Sequence, residues 1–250
     1  MPAELAVWAP AVPREVAAGD DLAEVVAAAL AGRAPRPGDI VVLAQKIVSK
    51  AEGRLVSLAT VRPGRAAIEL AARTRKDARL VELVLRESQA VVRARPGVLI
   101  VRHRLGLVMA NAGIDQSNLP GAEMALLLPE DPDGSAERLR AALADRLGVP
   151  LGVIISDSFG RAWRRGSVNV AIGAAGIASL WDRRGERDRN GRPLAVTEVA
   201  VADAVAAAAG LAMGEGREGR PLALVRGWSP PAPASPAAAL IRPVEEDLFP

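Results

Sequence analysis

Apolar positions along the chain recur in two rhythms, helical stripes and short β-branched runs, and their order predicts the architecture. Residues 20–32 open on two aspartates and continue as LAEVVAAALAG, an acidic cap feeding an Ala-rich stripe that stops at glycine, which predicts a helix. After a PRPGD turn, residues 40–43 (IVVL) read as a buried strand that delivers Gln45, Lys46, Ser49 and Lys50 at its end. Residues 65–73 and 78–87 carry helical spacing, and AVVRA, VLIV and GLVMA then give three short strands, neighbours in the antiparallel sense. Asp133 and Ser135 stand where they can cap the helix ERLRAALADRL, ahead of a buried strand at residues 153–155.

Beyond that strand the pattern weakens. SDSFGRAWRRGSVN and AIGAAGIASL are glycine-rich stretches without a clear period, the first read as a loop that follows the strand. The charged turn RRGERDRNGRP separates them from an Ala-rich helix over residues 199–213 that Gly214 stops, and LALVR is the last strand. Residues 229–236 (SPPAPASP) form a proline-rich connector and VEEDLFP an acidic surface tail. Helices and strands mix without strict βαβ alternation, so the prediction is an α+β fold, a mixed, largely antiparallel sheet with flanking helices. Residues 1–228 make the packed region, as one domain or two closely joined α/β lobes, and residues 229–250 a Pro-rich C-terminal tail.

Composition removes whole classes of chemistry. With no cysteine among 250 residues, a disulfide framework, a thiolate nucleophile and a Cys-ligated metal are excluded. His103 is the only histidine, so any metal must be held by oxygen ligands. Set in VRHRLG, it reads as an exposed strand or turn residue. No uninterrupted apolar run is long enough to span a bilayer and the start lacks a secretion-signal pattern, so a cytoplasmic protein without a membrane partner is expected. The pI is about 10.1 although the net charge is only +3, because without Tyr or Cys little titrates above neutral pH. Aromatic residues make up only 2%, which leaves little for base stacking, and no nucleic-acid partner is expected.

The candidate chemistry sits where apolar runs end. Gly214, Gly216 and Gly219 spell G-x-G-x-x-G, but a helix precedes them and a strand follows, the reverse of a dinucleotide fingerprint. A helix cap plus a loop explains the glycines, while Glu215 between them adds a carboxylate beside close-approaching backbone amides. The buried strand at 153–155 runs into Asp157 and Ser158, at the strand end that ligands favour, although an aspartate there also simply begins a turn; both readings stay open. GLVMANAGIDQSN takes a third apolar run into Asp115 and Asn118. Three carboxylates brought together repel unless a cation joins them, and Mg²⁺ or Mn²⁺ suits oxygen ligands. Arg161, Arg164 and Arg165 around Trp163 could clamp a phosphorylated substrate, though a solvated basic face is the simpler account of each. Lysine is scarce, three against 29 arginines, and Lys50 is the preferred phosphate candidate.

These stretches carry a resemblance. GDDL (19–22), VSKAEGRLV (48–56), LGLVMANAGIDQSN (105–118), DPDGSAERLR (131–140), SDSFGRAWRRG (156–166) and TEVAVADAVAAAAGLAMGEG (197–216) resemble the coenzyme F420:L-glutamate ligase family, also called F420-0:γ-glutamyl ligase. The resemblance implies a GTP-dependent ligase that joins L-glutamate through γ-linked amide bonds to the lactyl-phosphate arm of a deazaflavin, coenzyme F420-0, by way of an acyl phosphate. It also implies Mg²⁺ or Mn²⁺ with K⁺, and an α+β fold forming an intertwined homodimer. Carried over by motif, Asp115, Asp157, Ser158 and Glu215 hold the metal ions. GTP falls to Pro13, Arg14, Glu15 and Val16, to Gln45, Lys50 and Asn118, and to the loop Met213, Gly214, Glu215, Gly216, Arg217, Glu218, Gly219 and Arg220. Ser158 stands where many relatives have threonine, and Arg189 replaces a tyrosine of their Asp-x-Tyr-Gly turn. Another NTP-dependent carboxylate–amine ligase and a basic nucleic-acid-binding protein are the competing readings.

Overall fold

A computed structural model describes residues 4–121, 123–228 and 232–247. The first half contains β1 (Ala6–Trp8), α1 (Leu22–Leu30), β2 (Ile40–Ala44), α2 (Gln45–Ala51), β3 (Leu55–Ser57), α3 (Arg65–Thr74), α4 (Ala78–Arg86), β4 (Ser88–Arg95), β5 (Val98–His103) and β6 (Val108–Ala110). The second contains β7 (Met124–Leu126), α5 (Pro132–Leu147), β8 (Gly152–Arg161), β9 (Arg164–Ala175), β10 (Leu180–Asp182), β11 (Glu198–Ala200), α6 (Val201–Met213) and β12 (Leu222–Arg226). The mixed α+β architecture expected from the sequence is present. Its main sheet has the order β1-β12-β2-β8-β9, and every neighbouring pair is antiparallel except β2 and β8.

Strand alternation sorts the core into two layers. Val41, Leu43, Val153 and Ile155 face α1 and α5, burying Val26, Leu30, Leu139 and Leu143. Ile40, Val42, Ile154 and Ala223 face the opposite way onto Val205, Ala206 and Ala209 of α6. Gly210 of α6 lets the helix lie close to β9, since a Cβ there would stand 2.1 Å from Asn169 Oδ1. A third cluster joins Leu70, Leu80, Val81 and Val84 of the α3–α4 pair to Leu99 and Val101 of the three-stranded sheet β4-β5-β6.

Three local expectations are corrected. The 156–166 stretch is not a loop: β8 and β9 pair from Val153↔Ala175 out to Arg161↔Arg164, a hairpin whose outer part projects beyond the core. With solvent on both sides, that arm needs no apolar alternation. Helix α5 is capped by Asp131, whose Oδ1 accepts the Gly134 N–H at 3.0 Å, with Pro132 in the first turn, so neither Asp133 nor Ser135 caps it. Asp133 instead accepts N–H groups of Ala174 (2.8 Å) and Ala237 (2.7 Å), tying β9 to the C-terminal segment. His103 is fully buried rather than exposed: its Nδ1 accepts the Leu105 N–H at 3.0 Å and its Nε2 lies 3.5 Å from Glu87 Oε2.

The C-terminal segment is anchored at several points. Ala237 is buried, Ser235 accepts two hydrogen bonds from Ser179, through its Oγ from the Ser179 N–H and through its carbonyl from the Ser179 hydroxyl, and Asp247 pairs with Arg102 at 2.7 Å. Residues 248–250 of the acidic end, and residues 229–231 of the connector, lie outside the described residues. Among the described residues no helix is long and apolar enough to cross a membrane.

Candidate functional site

The one parallel pair of the main sheet positions the site. Register Ala44↔Ser156 makes β2 reach its carboxyl end beside Ser156, so the first residues of α2 and Asp157 emerge together. The antiparallel neighbour β12 begins at the same level, with the Ala44 N–H donated to Pro221 O at 2.8 Å, which places the 214–220 loop there too. From the other side Asp115 is fixed by paired backbone hydrogen bonds to Leu126 at 3.0 and 2.8 Å. Its approach runs through Asn111, Ala112 and Gly113, all with positive φ. For the non-glycine pair this is a strained turn of the kind functional sites retain.

These segments enclose a cavity of about 650 Å³. Its wall includes Arg14, Glu15, Val16, Gln45, Lys46, Lys50, Asp115, Ser117 and Asn118. It continues through Ser156, Asp157, Ser158, Asn169 and the whole loop from Met213 to Arg220. All the residues assigned by motif to metal or GTP therefore meet there except Pro13, which is not part of the wall although its neighbour Arg14 is. The N-terminal segment is held to the glycine loop by the Val12 N–H on Gly219 O at 2.8 Å. Gly214 ends α6 at φ +80°, which a residue with a Cβ adopts only under strain, and turns the chain so that Glu215 follows in the wall. The arginines at 161, 164 and 165 lie at the hairpin tip, outside the wall, as does the 188–191 turn.

The electrostatics divide the acids. Asp115 is held below the usual carboxylate range: burial alone raises it, but the Lys46 ammonium at 2.6 Å and the Ser117 N–H at 2.6 Å outweigh that. Asp157 goes the other way, pushed up to about 7 by enclosure in the wall and by the fields of Asp115 and Glu215, against a Ser158 N–H at 2.9 Å and the more distant Lys46. Asp157 is a partly buried carboxylate on a strand, not in the loop expected. Lys50 donates to Asn118 O at 3.2 Å and lies 3.6 Å from Glu15 Oε2. The buried Gln45 accepts from Ser49 Oγ at 2.8 Å. Lys46, Ser117 and Asn169 are wall residues that the sequence reading missed. For Lys46 a signal existed, its i, i+4 spacing with Lys50 on one helix face.

For a cation the wall offers carboxylate, hydroxyl and carbonyl oxygens, and an enclosed carboxylate with no ion-pair partner among the described residues fits a hard divalent cation. Among the described residues no three acids already stand at metal-ligand spacing. Lysines and loop amides beside them suit a polyanion.

An α+β enzyme with an acid-lined, lysine-bearing cavity at the carboxyl end of its strands is the class so defined. Comparison with known proteins narrows it: the family described as F420-0:gamma-glutamyl ligase matches residues 13–227. A coenzyme F420:L-glutamate ligase of Methanothermobacter thermautotrophicus is 47% identical over 238 residues, 94% of each chain. The protein of the same name from Methanopyrus kandleri is 46% identical over 240 residues, again 94% of each. That of Methanocaldococcus jannaschii is 43% identical over 212 residues, 85% of this chain and 84% of its own. The chain belongs to the F420-0:gamma-glutamyl ligase family.

Proposed function

We propose that this protein uses GTP to join L-glutamate, through γ-linked amide bonds, to the lactyl-phosphate arm of coenzyme F420-0 in coenzyme F420 biosynthesis. The acceptor and amino acid follow the names of the relatives. One observation carries the chemistry: the segments bearing Asp115 and Asp157, both lysines of α2 and the Glu215-bearing 213–220 loop, remote in sequence, line one cavity.

An amide cannot form directly from a carboxylate, because oxide is too poor a leaving group. Transfer of the γ-phosphoryl group of GTP to that carboxylate breaks the bond from the γ-phosphorus to the β–γ bridging oxygen, releases GDP and gives an acyl phosphate. The glutamate amine then attacks the acyl carbon, phosphate departs, and the amine gives up its proton. In such phosphoryl transfers the protein acts chiefly by positioning and charge stabilisation. Lys50 supplies a point charge for the phosphates, the amides of residues 214–220 supply donors, and Asn118, Gln45 and residues 14–16 bound the rest of the nucleotide. Asp115, Asp157, Ser158 and Glu215 would hold Mg²⁺ or Mn²⁺, which neutralises phosphate oxygens, with K⁺ as a monovalent companion. No protein nucleophile is needed, in keeping with the absent cysteine and the buried histidine. We further place the working form as a homodimer in the cytoplasm, with no nucleic-acid partner.

Phosphate release is measured with GTP, L-glutamate and F420-0 together and with each omitted in turn. The proposal expects release only from the complete mixture, with glutamylated product seen by mass. Equal turnover with ATP, or with an acceptor other than F420-0, would replace it by a different carboxylate–amine ligase.

A further inference from the structure

Helix α2 holds the 115–118 loop with two lysines one turn apart. Lys46 Nζ lies 2.6 Å from Asp115 Oδ2 and donates to Ser117 Oγ at 2.8 Å. Lys50 Nζ donates to the Asn118 carbonyl at 3.2 Å. Both partners of the Lys46–Asp115 pair are about 70% shielded from solvent, with relative exposures of 30% and 26%, and both face the cavity. Lys46 thus sits on the carboxylate that, on the reading above, takes a divalent cation. An ammonium in contact with that oxygen repels an arriving divalent cation, so the two compete for Asp115.

We propose that Lys46 is the cavity's built-in cation, holding Asp115 in the metal-free protein and yielding it when a divalent cation arrives. The choice of residue supports this. The chain carries three lysines against 29 arginines, yet the position facing Asp115 is a lysine. A guanidinium would grip the carboxylate with a rigid two-pronged fork, whereas an ammonium on a flexible stem makes a single contact and can swing away. Once displaced, it remains on the helix face of Lys50 and in the same cavity, where an anionic group can receive it. Lys46 therefore weakens metal binding while the cavity holds no anion, and it couples metal binding to that of a phosphate-bearing ligand. It acts through Asp115 as a positioning residue.

The inference rests on the metal reading of Asp115, and the test separates the two. Mn²⁺ is titrated calorimetrically, without nucleotide, into the metal-free full chain as wild type, Lys46→Met and Lys50→Met. Loss of the competitor should tighten Mn²⁺ binding about three- to tenfold in Lys46→Met. Lys50→Met should change it distinctly less, because that ammonium rests on a carbonyl. Equal tightening in both variants, which would mean a diffuse charge effect, or unchanged affinity in Lys46→Met overturns the role of Lys46 while leaving the metal site standing. Absence of Mn²⁺ uptake in every form overturns both. Should Lys46→Met unfold, Lys46→Gln, which can still donate to Asp115 and Ser117, is read by the same criteria.

Discussion

Asp157→Asn separates what the site needs from what the fold prefers. Asparagine keeps an acceptor for the Ser158 N–H, 2.9 Å away, and removes only the charge. In the metal-free protein that charge is destabilising, since enclosure, reinforced by Asp115 and Glu215, moves the carboxyl from 3.8 to about 7. Such a displacement corresponds to roughly 4 kcal/mol against the ionised form, and contact with cavity water lowers the expectation to about 2–4 kcal/mol. The sign follows from proton counting. Between about pH 4 and pH 7 the folded chain holds a proton that the unfolded chain has lost, so wild-type stability falls as pH rises through this window. The penalty is complete above about pH 7 and absent below the ordinary carboxylate value. Asp157→Asn, with EDTA at pH 8, should therefore melt roughly 5–10 °C above wild type, and the two curves should converge near pH 4. Added Mg²⁺ should stabilise wild type and not the variant, and the variant should be inactive. Identical melting at pH 8, or near-normal turnover of the variant at limiting Mg²⁺, refutes the reasoning.

Other outcomes follow from single contacts. Glu87 is held at about 2 although burial raises it, because His103, Arg104 and Arg54 surround it. Its stabilisation, roughly 3 kcal/mol, is present above about pH 4.5 and is lost as pH falls toward 2. Urea unfolding should show Glu87→Gln weaker than wild type at pH 7, with the gap closing in acid. Leu143, fully buried between α1 and the sheet, should cost about 2–5 kcal/mol when cut to alanine, read as a lower urea midpoint with an unchanged slope. Lys50→Met should raise KM for GTP at least tenfold in steady-state kinetics while the far-ultraviolet spectrum stays native.

The parts of the fold legible in advance are those whose partners impose a period. Residues 40–43 and 153–155 read as strands because both faces are buried, and α1 shows its cap and stripe because one face is. The outer β8–β9 arm gave no such signal, since its residues 160–167 are exposed. His103 misled for a different reason: arginines on either side suggested solvent, yet strand alternation turns the position between them inward, where Glu87 awaits. Within the site, Asp115, Asp157 and Glu215 were visible as carboxylates following apolar runs. The spacing put Lys46 beside Lys50, but its contact with Asp115 was not visible, because that acid is brought near only by the packing of β7 and α2.

Convergence of the acids depends on strand direction, which no local pattern encodes. Because β2 and β8 run parallel, both chains arrive at the same edge of the sheet, one opening into Gln45, Lys46 and Lys50 and the other into Asp157. Had β8 run the other way in the same register, Asp157 would leave from the opposite end of the five-residue strand β2, roughly 16 Å from the lysines. The lysines and Asp115 would then form one wall with nothing facing it. Parallel pairing requires a long crossover, here residues 45–151, and that crossover carries Asp115 and its loop across the same edge. The connection demanded by the sheet thus also supplies the second acid, which is why remote segments of the chain share one cavity.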